Sequence, residues 1–366
     1  MLSQYFNLSG PQFLIALIAI FCCLIILLVS FIAISLFVLN KRELNYYDWK
    51  ELADDVITMA IFFEPEDDAN LANISVIDIP EKVNKLLPNK YFRTIFTNQL
   101  LSAKENMAGS SGDNLDFLYT QLNLEVFALK KIRSKSWHKI AKGIKELGLM
   151  NLKKYREDVE PFLNYRRQLI RIEAQNTMLK FNGFQGLRFL DTATYPISEW
   201  HQLKLLEELA QLPPDDFTGI DNWLNSDNDS VVLFALKLVR NYHLFQFHQQ
   251  LLQLFSHQNE NIRAHAIIAI KEIPNETTAT SLIAIYPHEN LNIKLKILAA
   301  LKEVAMNDEI PFIVSCLDEN NTDIKFAAAA TLHHIKPNGF KHVLNHPDAD
   351  NEPLIRIIKH LQSNIE

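Results

Sequence analysis

The longest apolar stretch of the chain lies near its start. From Phe13 to Leu39, no residue carries a charged side chain. A helix of this length measures about 40 Å, which exceeds the roughly 30 Å hydrocarbon core of a bilayer. The stretch lacks the basic start and the small-residue cleavage site of a secretory signal peptide. It therefore predicts a transmembrane helix over 13–39 that stays attached, after a short N-terminal tail over 1–12.

The residues on either side of this stretch differ in charge. The tail contains no Lys or Arg, whereas Lys41, Arg42 and Lys50 follow the stretch closely. Basic residues concentrate on the cytoplasmic side of a membrane span. The sequence therefore predicts a single-pass protein of the inner (cytoplasmic) membrane, with its N-terminus outside and its C-terminal part in the cytoplasm.

The second half of the chain is periodic, with mostly apolar residues at i, i+4 and i+8 in four sets. The repeat length is about 31 residues, within the range of solenoid proteins. The sets are Val231, Ala235 and Val239; Ile262, Ala266 and Ile270; Ile293, Ile297 and Leu301; and Ile324, Ala328 and Leu332. Residues at this spacing share one face of a helix, and the first residue of each set is called its anchor residue below. The period therefore predicts one helix per unit with one buried face.

Second apolar segments lie between these helices. They recur with the same period, at Leu251, Leu282, Ile313 and Leu344. Each unit is therefore predicted to be a pair of helices. Such pairs cannot bury their apolar faces alone and must stack into a solenoid. Counted backward, the period reaches Trp200, Ile170 and Trp137, which predicts seven to eight helix pairs over 130–366, although Lys204 fits the i+4 position after Trp200 poorly.

Polar residues flank the anchor residues. The residues directly before the anchors are Ser230, Asn261, Asn292 and Asp323, and we expect them to cap the helices. Basic residues directly after anchor or equivalent positions are Arg171, Arg263, Lys294, Lys325 and Arg356. We expect these to bond acidic or carbonyl groups of a neighbouring unit, in preference to facing a ligand.

The region over 40–129 is predicted to be helical. Apolar residues over 44–63 have helical spacing, and Pro65 with the acidic run 66–68 closes that segment. A second helical stretch runs over 81–107 and is broken at Pro88. The sequence AGSSGDN predicts a flexible loop near 108–114.

Composition narrows the fold class. Only 9 of 366 residues are Gly, which argues against turn-rich β folds and Gly-rich phosphate loops. Three Cys residues cannot form a disulfide framework, and we expect Cys316 to lie in the core. The net charge of −7 gives no support for nucleic-acid binding by the whole chain.

Four segments resemble HEAT repeats of the short bacterial type. They are IRIEAQNTML (170–179), NIRAHAIIAIKEI (261–273), NIKLKILAALKEV (292–304) and DIKFAAAATLHHI (323–335). With the apolar helix, the chain resembles a membrane-anchored bacterial HEAT-repeat protein of armadillo-type helical fold. The resemblance implies an all-α fold in which a single transmembrane helix precedes a right-handed α-α superhelix, the HEAT-like solenoid. It also implies a concave surface for partners and says little about chemistry.

A basic island covers 130–171, where Lys and Arg outnumber Asp and Glu by thirteen to four. Its ligand could be a protein partner, an anionic lipid surface or nucleic acid, or the island could be a solvated face. Trp200 is interpreted as packing between repeats, with an interface position as the alternative. The candidate partner-binding residues are Lys131, Lys135, Trp137, Lys139, Lys142, Lys145, Arg166, Arg167 and Trp200.

The sequence contains no P-loop and no metal-ligand spacing, and its single His-Glu pair, at 288–289, cannot form a di-iron centre. No catalytic residue, cofactor or metal is predicted. We expect a non-catalytic, membrane-tethered scaffold that binds protein partners at the cytoplasmic membrane face, for example in an envelope or polysaccharide-synthesis complex. The alternatives are a HEAT-type enzyme or cofactor-binding protein, or nucleic-acid binding through 130–171.

Overall fold

A computed structural model describes residues 10–64, 76–210, 217–335 and 339–363, with the side chains of 10–13 and 38–44 left out. Every regular element in these ranges is helical, which confirms the predicted all-α class there. The chain forms two compact units, Met1–Lys154 and Tyr155–Glu366, called the N-terminal and C-terminal units below. Pro65 and the acidic run 66–68 lie outside the described residues.

The N-terminal unit contains six α-helices in its described residues. They are α1 (Gly10–Ile61), α2 (Glu81–Leu86), α3 (Lys90–Asn106), α4 (Gly109–Gln121), α5 (Glu125–Ile132) and α6 (Trp137–Leu149). A short 3₁₀-helix over Lys153–Tyr155 follows α6. Helix α1 packs against α3 and α4, and α5 packs against α6.

Helix α1 is 52 residues long and changes character along its length. Over Leu14–Phe37 it is long and apolar enough to cross a membrane, and none of this stretch is buried. Further along, Ala53, Val56 and Ala60 are buried, as expected for one apolar stripe against neighbouring helices. The helix begins at Gly10, inside the predicted tail, and continues without a break into the packed part of the unit.

The predicted break at Pro88 is confirmed. Helix α2 ends at Leu86, and α3 begins at Lys90 after Asn89, whose Oδ1 accepts hydrogen bonds from the N–H groups of Tyr91 (2.8 Å) and Phe92 (3.4 Å). This side chain satisfies two of the free donors in the first turn of α3.

The predicted flexible loop near 108–114 is helical instead, because α4 begins at Gly109. Gly112 is buried, and Lys104 Nζ donates to its carbonyl oxygen at 2.8 Å. A Cβ at Gly112 would stand 3.2 Å from that nitrogen and from the carbonyl oxygen of Met107. The small residues of this segment therefore permit a close helix contact, and their composition is not that of a linker.

The predicted boundary at 129/130 falls inside α5. Helices α5 and α6 approach so closely that a Cβ at Gly143 would stand 2.7 Å from the carbonyl oxygen of Ala128. Residues 130–154 therefore belong to the N-terminal unit. Trp137, predicted as a buried position of the repeat, begins α6 and is exposed. The change in charge along the sequence does not coincide with a change in packing.

The C-terminal unit contains thirteen α-helices in its described residues. They are α7 (Arg156–Val159), α8 (Gln168–Asn182), α9 (Glu199–Leu209), α10 (Ile220–Leu224), α11 (Asp229–Asn241), α12 (His248–Gln253), α13 (Glu260–Ile270), α14 (Thr278–Ile285), α15 (Leu291–Val304), α16 (Ile310–Ser315), α17 (Thr322–His334), α18 (Gly339–Leu344) and α19 (Leu354–Ser363). The 3₁₀-helices are Glu160–Phe162, Gly183–Thr192, Phe245–Phe247, Leu254–Ser256, Tyr286–His288, Asn307–Glu309 and Cys316–Asp318. Helices α11, α13, α15 and α17 pack in sequence, each with a shorter helix after it.

The predicted apolar period is confirmed by burial. All twelve residues of the four sets, from Val231 to Leu332, are at most 2% exposed. Burying a large aliphatic side chain contributes about 1.5–3 kcal/mol, so the nine Val, Ile and Leu residues among the twelve contribute substantially to the stability of this unit. Cys316 also lies in the core, as predicted, and burial raises the pKa of its thiol to about 11.

The second helices follow the period in three of four cases. Leu251, Leu282 and Ile313 are fully buried, whereas Leu344 is exposed and Val343 is buried in its place. The contact between α18 and α17 explains this shift. A Cβ at Gly339 would collide with the carbonyl oxygen of Leu332, so the two helices meet at a glycine, and Val343 faces α17 one turn later.

The helix caps lie two residues earlier than predicted. The N-cap residues of α11, α13, α15 and α17 are Asn228, Asn259, Asn290 and Asn321, which recur with the period of the anchors. Each Oδ1 accepts a hydrogen bond from a backbone N–H two or three residues later, at 2.8–3.1 Å. The predicted residues Ser230, Asn261, Asn292 and Asp323 lie inside the first turn instead. An N-cap residue needs an extended backbone, which these asparagines have.

The repeat near Trp200 is displaced by one residue from the prediction. His201, Leu205 and Leu209 form the buried i, i+4, i+8 set of α9, whereas Trp200 is 60% exposed. His201 therefore occupies the anchor position, and Lys204 is not at i+4. The imidazole Nε2 of His201 lies 3.0 Å from Asn176 Oδ1, and burial lowers the pKa of His201 to about 4. The ring is neutral at pH 7, which permits a histidine in a core position.

Single replacements of Asn259 and Asn261 test which of these two asparagines caps α13. Asn259→Ala removes the acceptor for the Asn261 N–H, and we expect a loss of about 1 kcal/mol in the free energy of unfolding. Asn261→Ala is the matched control, because its exposed side chain lies inside the helix. Urea denaturation of the full chain in detergent, followed by circular dichroism, measures both. Equal losses in the two variants would contradict the assignment of Asn259 as the cap.

Candidate functional site

Six Lys and Arg side chains surround a cleft of about 310 Å³ between α3, α5 and α6 of the N-terminal unit. We call it the basic cleft; its cations are Lys90, Arg93, Lys130, Lys131, Lys139 and Lys142. Phe127 and His138 contribute to its walls, and no Asp or Glu lines it among the described residues. A concave site with one sign of charge concentrates ions of the opposite sign.

Arg93 is fixed by neutral groups. Its Nη1 donates to the carbonyl oxygens of Leu87 (2.7 Å) and Pro88 (3.2 Å), at the turn between α2 and α3. Its guanidinium carbon lies 3.8 Å from the ring centroid of Phe127, and Lys130 Nζ lies 5.2 Å from the same centroid. Cation–π contact and carbonyl acceptors orient these two charges without neutralising them.

Lys131 is paired with a buried carboxylate. Its Nζ lies 2.5 Å and 2.6 Å from the two oxygens of Glu146, which is 1% exposed. Burial raises the pKa of Glu146 and lowers the pKa of Lys131, and attraction between the two charges opposes both shifts. Lys142 and Arg93 also lower the pKa of Lys131, because like charges repel. The cations of the cleft therefore lie close enough to destabilise one another.

The cleft contains three of the predicted binding residues, Lys131, Lys139 and Lys142. Lys142 Nζ donates to Asn98 Oδ1 on α3 at 2.8 Å. The other three predicted residues of this unit do not line the cleft. Lys135 is exposed in the turn between α5 and α6, Trp137 is exposed at the start of α6, and Lys145 pairs with Glu105 at 2.8 Å.

Lys90 and Arg93 were not predicted as site residues. They lie in the first turn of α3, some forty residues before the basic island, in a region whose charge is acidic overall. The only sequence signal is that Lys90 and Arg93 lie three residues apart, shortly after the cap residue Asn89. This spacing places both on one side of α3. Their contribution to the cleft depends on the packing of α3 near α5 and α6.

The remaining predicted residues lie in the C-terminal unit. Arg166 and Arg167 are exposed directly before α8, and Trp200 is in the first turn of α9. The nine predicted residues are therefore divided between the two units, and the basic island over 130–171 is divided with them.

Helix α9 presents an apolar pair to solvent. Trp200 and Leu203, one turn apart, are each 60% exposed, while His201 and Leu205 point into the core. The ion pair between Lys204 Nζ and Glu207 Oε2, at 2.7 Å, lies on the same exposed side. Packing between repeats, the preferred interpretation of Trp200 from the sequence, is therefore wrong, and the interface alternative is consistent with its exposure.

The basic residues that follow the anchor positions are bound within the unit. Arg263 forms a two-point ion pair with Glu289, at 2.7 Å and 3.0 Å, and Lys294 pairs with Glu319 at 3.1 Å. Lys325 Nζ donates to the carbonyl oxygen of Leu317 at 2.5 Å. These contacts confirm the expected structural role for Arg263, Lys294 and Lys325, whereas Arg356 forms an exposed ion pair with Glu352, four residues before it. The pair with Arg263 also engages Glu289, the acidic member of the single His-Glu pair.

A larger polar groove of about 860 Å³ lies in the C-terminal unit, beside the 3₁₀-helix over Gly183–Thr192. Its polar side chains form hydrogen bonds within the unit. Asp191 accepts from Trp223 Nε1 at 2.7 Å, and Asn228 Nδ2 donates to the carbonyl oxygens of Ala193 and Tyr195. Among the described residues, no three His, Cys, Asp or Glu side chains form a group suited to a metal ion.

The HEAT repeats family matches residues 249–333, which include α13, α15 and all of α17 but its last residue. The predicted HEAT-type helical repeat is thereby confirmed over this segment. No curated protein matches the chain.

Several solved structures are similar to the chain at low sequence identity. A designed armadillo repeat protein is 12% identical, with 57% of this chain and 98% of that one covered and a TM-score of 0.31. An engineered protein is 11% identical, with coverage of 86% and 95% and a TM-score of 0.36. The complex of CpcE and CpcF of phycocyanin lyase from Nostoc sp. PCC7120 is 12% identical, with coverage of 82% and 99% and a TM-score of 0.24.

The two acidic partners of Lys131 and Lys145 provide a matched pair of substitutions. Glu146→Gln leaves Lys131 partly buried without its carboxylate, and we expect a loss of about 3 kcal/mol in the free energy of unfolding. Glu105→Gln breaks an exposed pair, and we expect a loss below about 1 kcal/mol. Urea denaturation in detergent compares them. Equal effects would show that burial does not distinguish the two ion pairs.

Proposed function

We propose that this chain, which contains HEAT repeats over residues 249–333, is a membrane-tethered, non-catalytic scaffold. Stacked helix pairs provide an extended surface built on a rigid core, and such surfaces recognise proteins by shape and scattered contacts. An envelope or polysaccharide-synthesis complex is the kind of membrane assembly that a scaffold of this design would serve.

The membrane tether is supported by α1. Its stretch Leu14–Phe37 is apolar on all sides and is not buried by the rest of the described chain, so a bilayer is the environment that matches it. The basic residues Lys41, Arg42 and Lys50 follow the stretch, which favours a cytoplasmic location for both units.

The exposed pair Trp200 and Leu203 is the observation that supports partner binding most directly. Trp is among the residue types enriched at positions that dominate binding energy at interfaces, and the rim of an interface is polar. The ion pair Lys204–Glu207 provides charged neighbours on the same side of α9. The basic residues Arg263 and Lys294 are less suitable, because each already pairs with a carboxylate.

The rival functions receive less support from the described residues. The larger groove of the C-terminal unit is lined by groups that bond one another, and its Asp191 is held by Trp223 and by Arg188. The basic region 130–171, proposed as a nucleic-acid site, is divided between the two compact units. A scaffold therefore accounts for more of the structure than an enzyme or a nucleic-acid-binding protein.

Fusions to the C-terminus test the tether and its orientation. We expect an alkaline phosphatase fusion to be inactive and a fluorescent-protein fusion to be bright, because the positive-inside rule places residues after 41 in the cytoplasm. A control chain that lacks residues 13–39 should leave the membrane fraction. An active phosphatase would contradict the orientation, and a control chain that stays with the membrane would contradict the role of this helix.

Polar substitutions on α9 test the partner surface. Trp200→Ser together with Leu203→Ser should reduce recovery of a stoichiometric partner at least about tenfold, the effect of losing one dominant interface residue. Met306→Ser is the control, because Met306 is equally apolar and 74% exposed elsewhere in the same unit. Extraction in mild detergent with quantitative mass spectrometry measures recovery. A partner retained by the α9 variant, or absent from the unmodified protein, would contradict the proposal.

A further inference from the structure

We propose that the basic cleft is a binding site for a phosphate-bearing anion, presented by a lipid headgroup or by a free phosphorylated molecule. One of its cations pairs with a carboxylate and three contact neutral groups, and its volume of about 310 Å³ is at the lower end of small-ligand sites. This site is independent of the protein-binding surface on α9.

The charge balance of the cleft favours an anion. Of its six cations, Lys131 is paired with a carboxylate, Glu146. Arg93 contacts carbonyl oxygens and the Phe127 ring, Lys130 contacts the same ring, and Lys142 donates to the amide oxygen of Asn98. These neutral contacts orient the side chains while the positive charges stay uncompensated, as in a preorganised anion site.

The number of cations favours an anion with more than one negative charge, such as a phosphate group. Five of the six are lysines, which act as point charges with freely rotating donors and are common phosphate ligands. The one arginine, Arg93, already uses Nη1 for two carbonyl oxygens. A tetrahedral group with two or more negative charges can accept from several ammonium groups at once.

The direction of the helices places the cleft at the membrane-proximal end of the unit. Trp49 of α1 packs against Tyr91 and Phe92 at the start of α3, and Asp54 accepts from Gln99 further along both helices. Helices α1 and α3 are therefore parallel. Helix α6 runs the same way, because Lys142 contacts Asn98 and Lys145 contacts Glu105. The first turns of α3 and α6, which carry Lys90, Arg93 and Lys139, lie toward the apolar stretch.

The distance to the apolar stretch is short. Phe37 and Trp49 are twelve positions apart on one unbroken helix, which is about 18 Å along α1. The headgroup zone extends roughly 5–8 Å from the hydrocarbon core, and tilting of the helix shortens the distance further. Electrostatic attraction acts across the remainder, because the Debye length is about 8 Å. A lipid with a phosphomonoester headgroup is therefore one source of the anion, and that source depends on the tether proposed above.

Two binding measurements on the full chain separate the sources. Isothermal titration with pyrophosphate in uncharged detergent tests the site without any lipid charge. Nanodiscs of phosphatidylcholine, with or without a photoactivatable phosphatidic acid, test the headgroup source by the yield of crosslinks to α3 and α6. We expect pyrophosphate binding that weakens as salt is raised. Crosslinking to phosphatidic acid would add the lipid source, and pyrophosphate binding without crosslinks would assign the site to a soluble ligand.

A pair of charge-matched variants tests whether the cleft itself is responsible. Lys130→Gln with Lys139→Gln removes two exposed cations of the cleft, and we expect at least about tenfold weaker pyrophosphate binding. Lys135→Gln with Lys153→Gln removes two exposed cations of the same unit outside the cleft, and binding should change less than about twofold.

Equal losses of pyrophosphate affinity in the two variants would show that binding reflects general charge attraction, and this result would overturn the proposed site. Absence of both pyrophosphate binding and crosslinking would overturn it as well. Neither result depends on the partner surface of α9, because Trp200 and Leu203 are unchanged in all these variants. A failed tether is recognised separately by the C-terminal fusions, while the pyrophosphate titration remains valid.

Discussion

The structure depends on one constraint, that a single helix pair cannot bury its own apolar face. Each of the helices α11, α13, α15 and α17 carries one buried stripe, and consecutive helices of this series pack against one another. The stripe, the asparagine caps and the basic residues Arg263 and Lys294 recur every 31 residues, and the ion pairs of Arg263 with Glu289 and of Lys294 with Glu319 join each long helix to the start of the next repeat. Stacking therefore determines both the period of the sequence and the rigidity of the surface that it supports.

The repeat period allows the buried positions of the C-terminal unit to be predicted from the sequence, whereas helix caps and polar core residues depend on backbone geometry and tertiary contacts. Buried positions such as Ile262 and Leu282 can be predicted because each belongs to a series of apolar residues that recurs every 31 residues. The cap at Asn259 was misplaced by two residues because backbone geometry, and not side-chain type, decides which residue begins a helix. His201 was overlooked because an apolar pattern does not signal a neutral histidine in the core.

The basic cleft illustrates the same limit for a functional site. Its lysines on α5 and α6 belong to a conspicuous basic stretch, but Lys90 and Arg93 come from a distant, acidic part of the sequence. The contacts of α3 with α1 and α6 bring these charges together, and no local pattern encodes that packing. Charge runs identify the residues that could take part in a site, whereas packing decides which of them share a cavity.

The continuity of α1 has a mechanical consequence. Because the apolar stretch and the packed end with Ala53, Val56 and Ala60 are one helix, the N-terminal unit is joined to its apolar end without a hinge. In a bilayer, a thicker or thinner hydrocarbon layer changes helix tilt. With the proposed span in a bilayer, a change of helix tilt would rotate the whole N-terminal unit, so the thickness of the lipid layer would set the angle of that unit to the membrane surface.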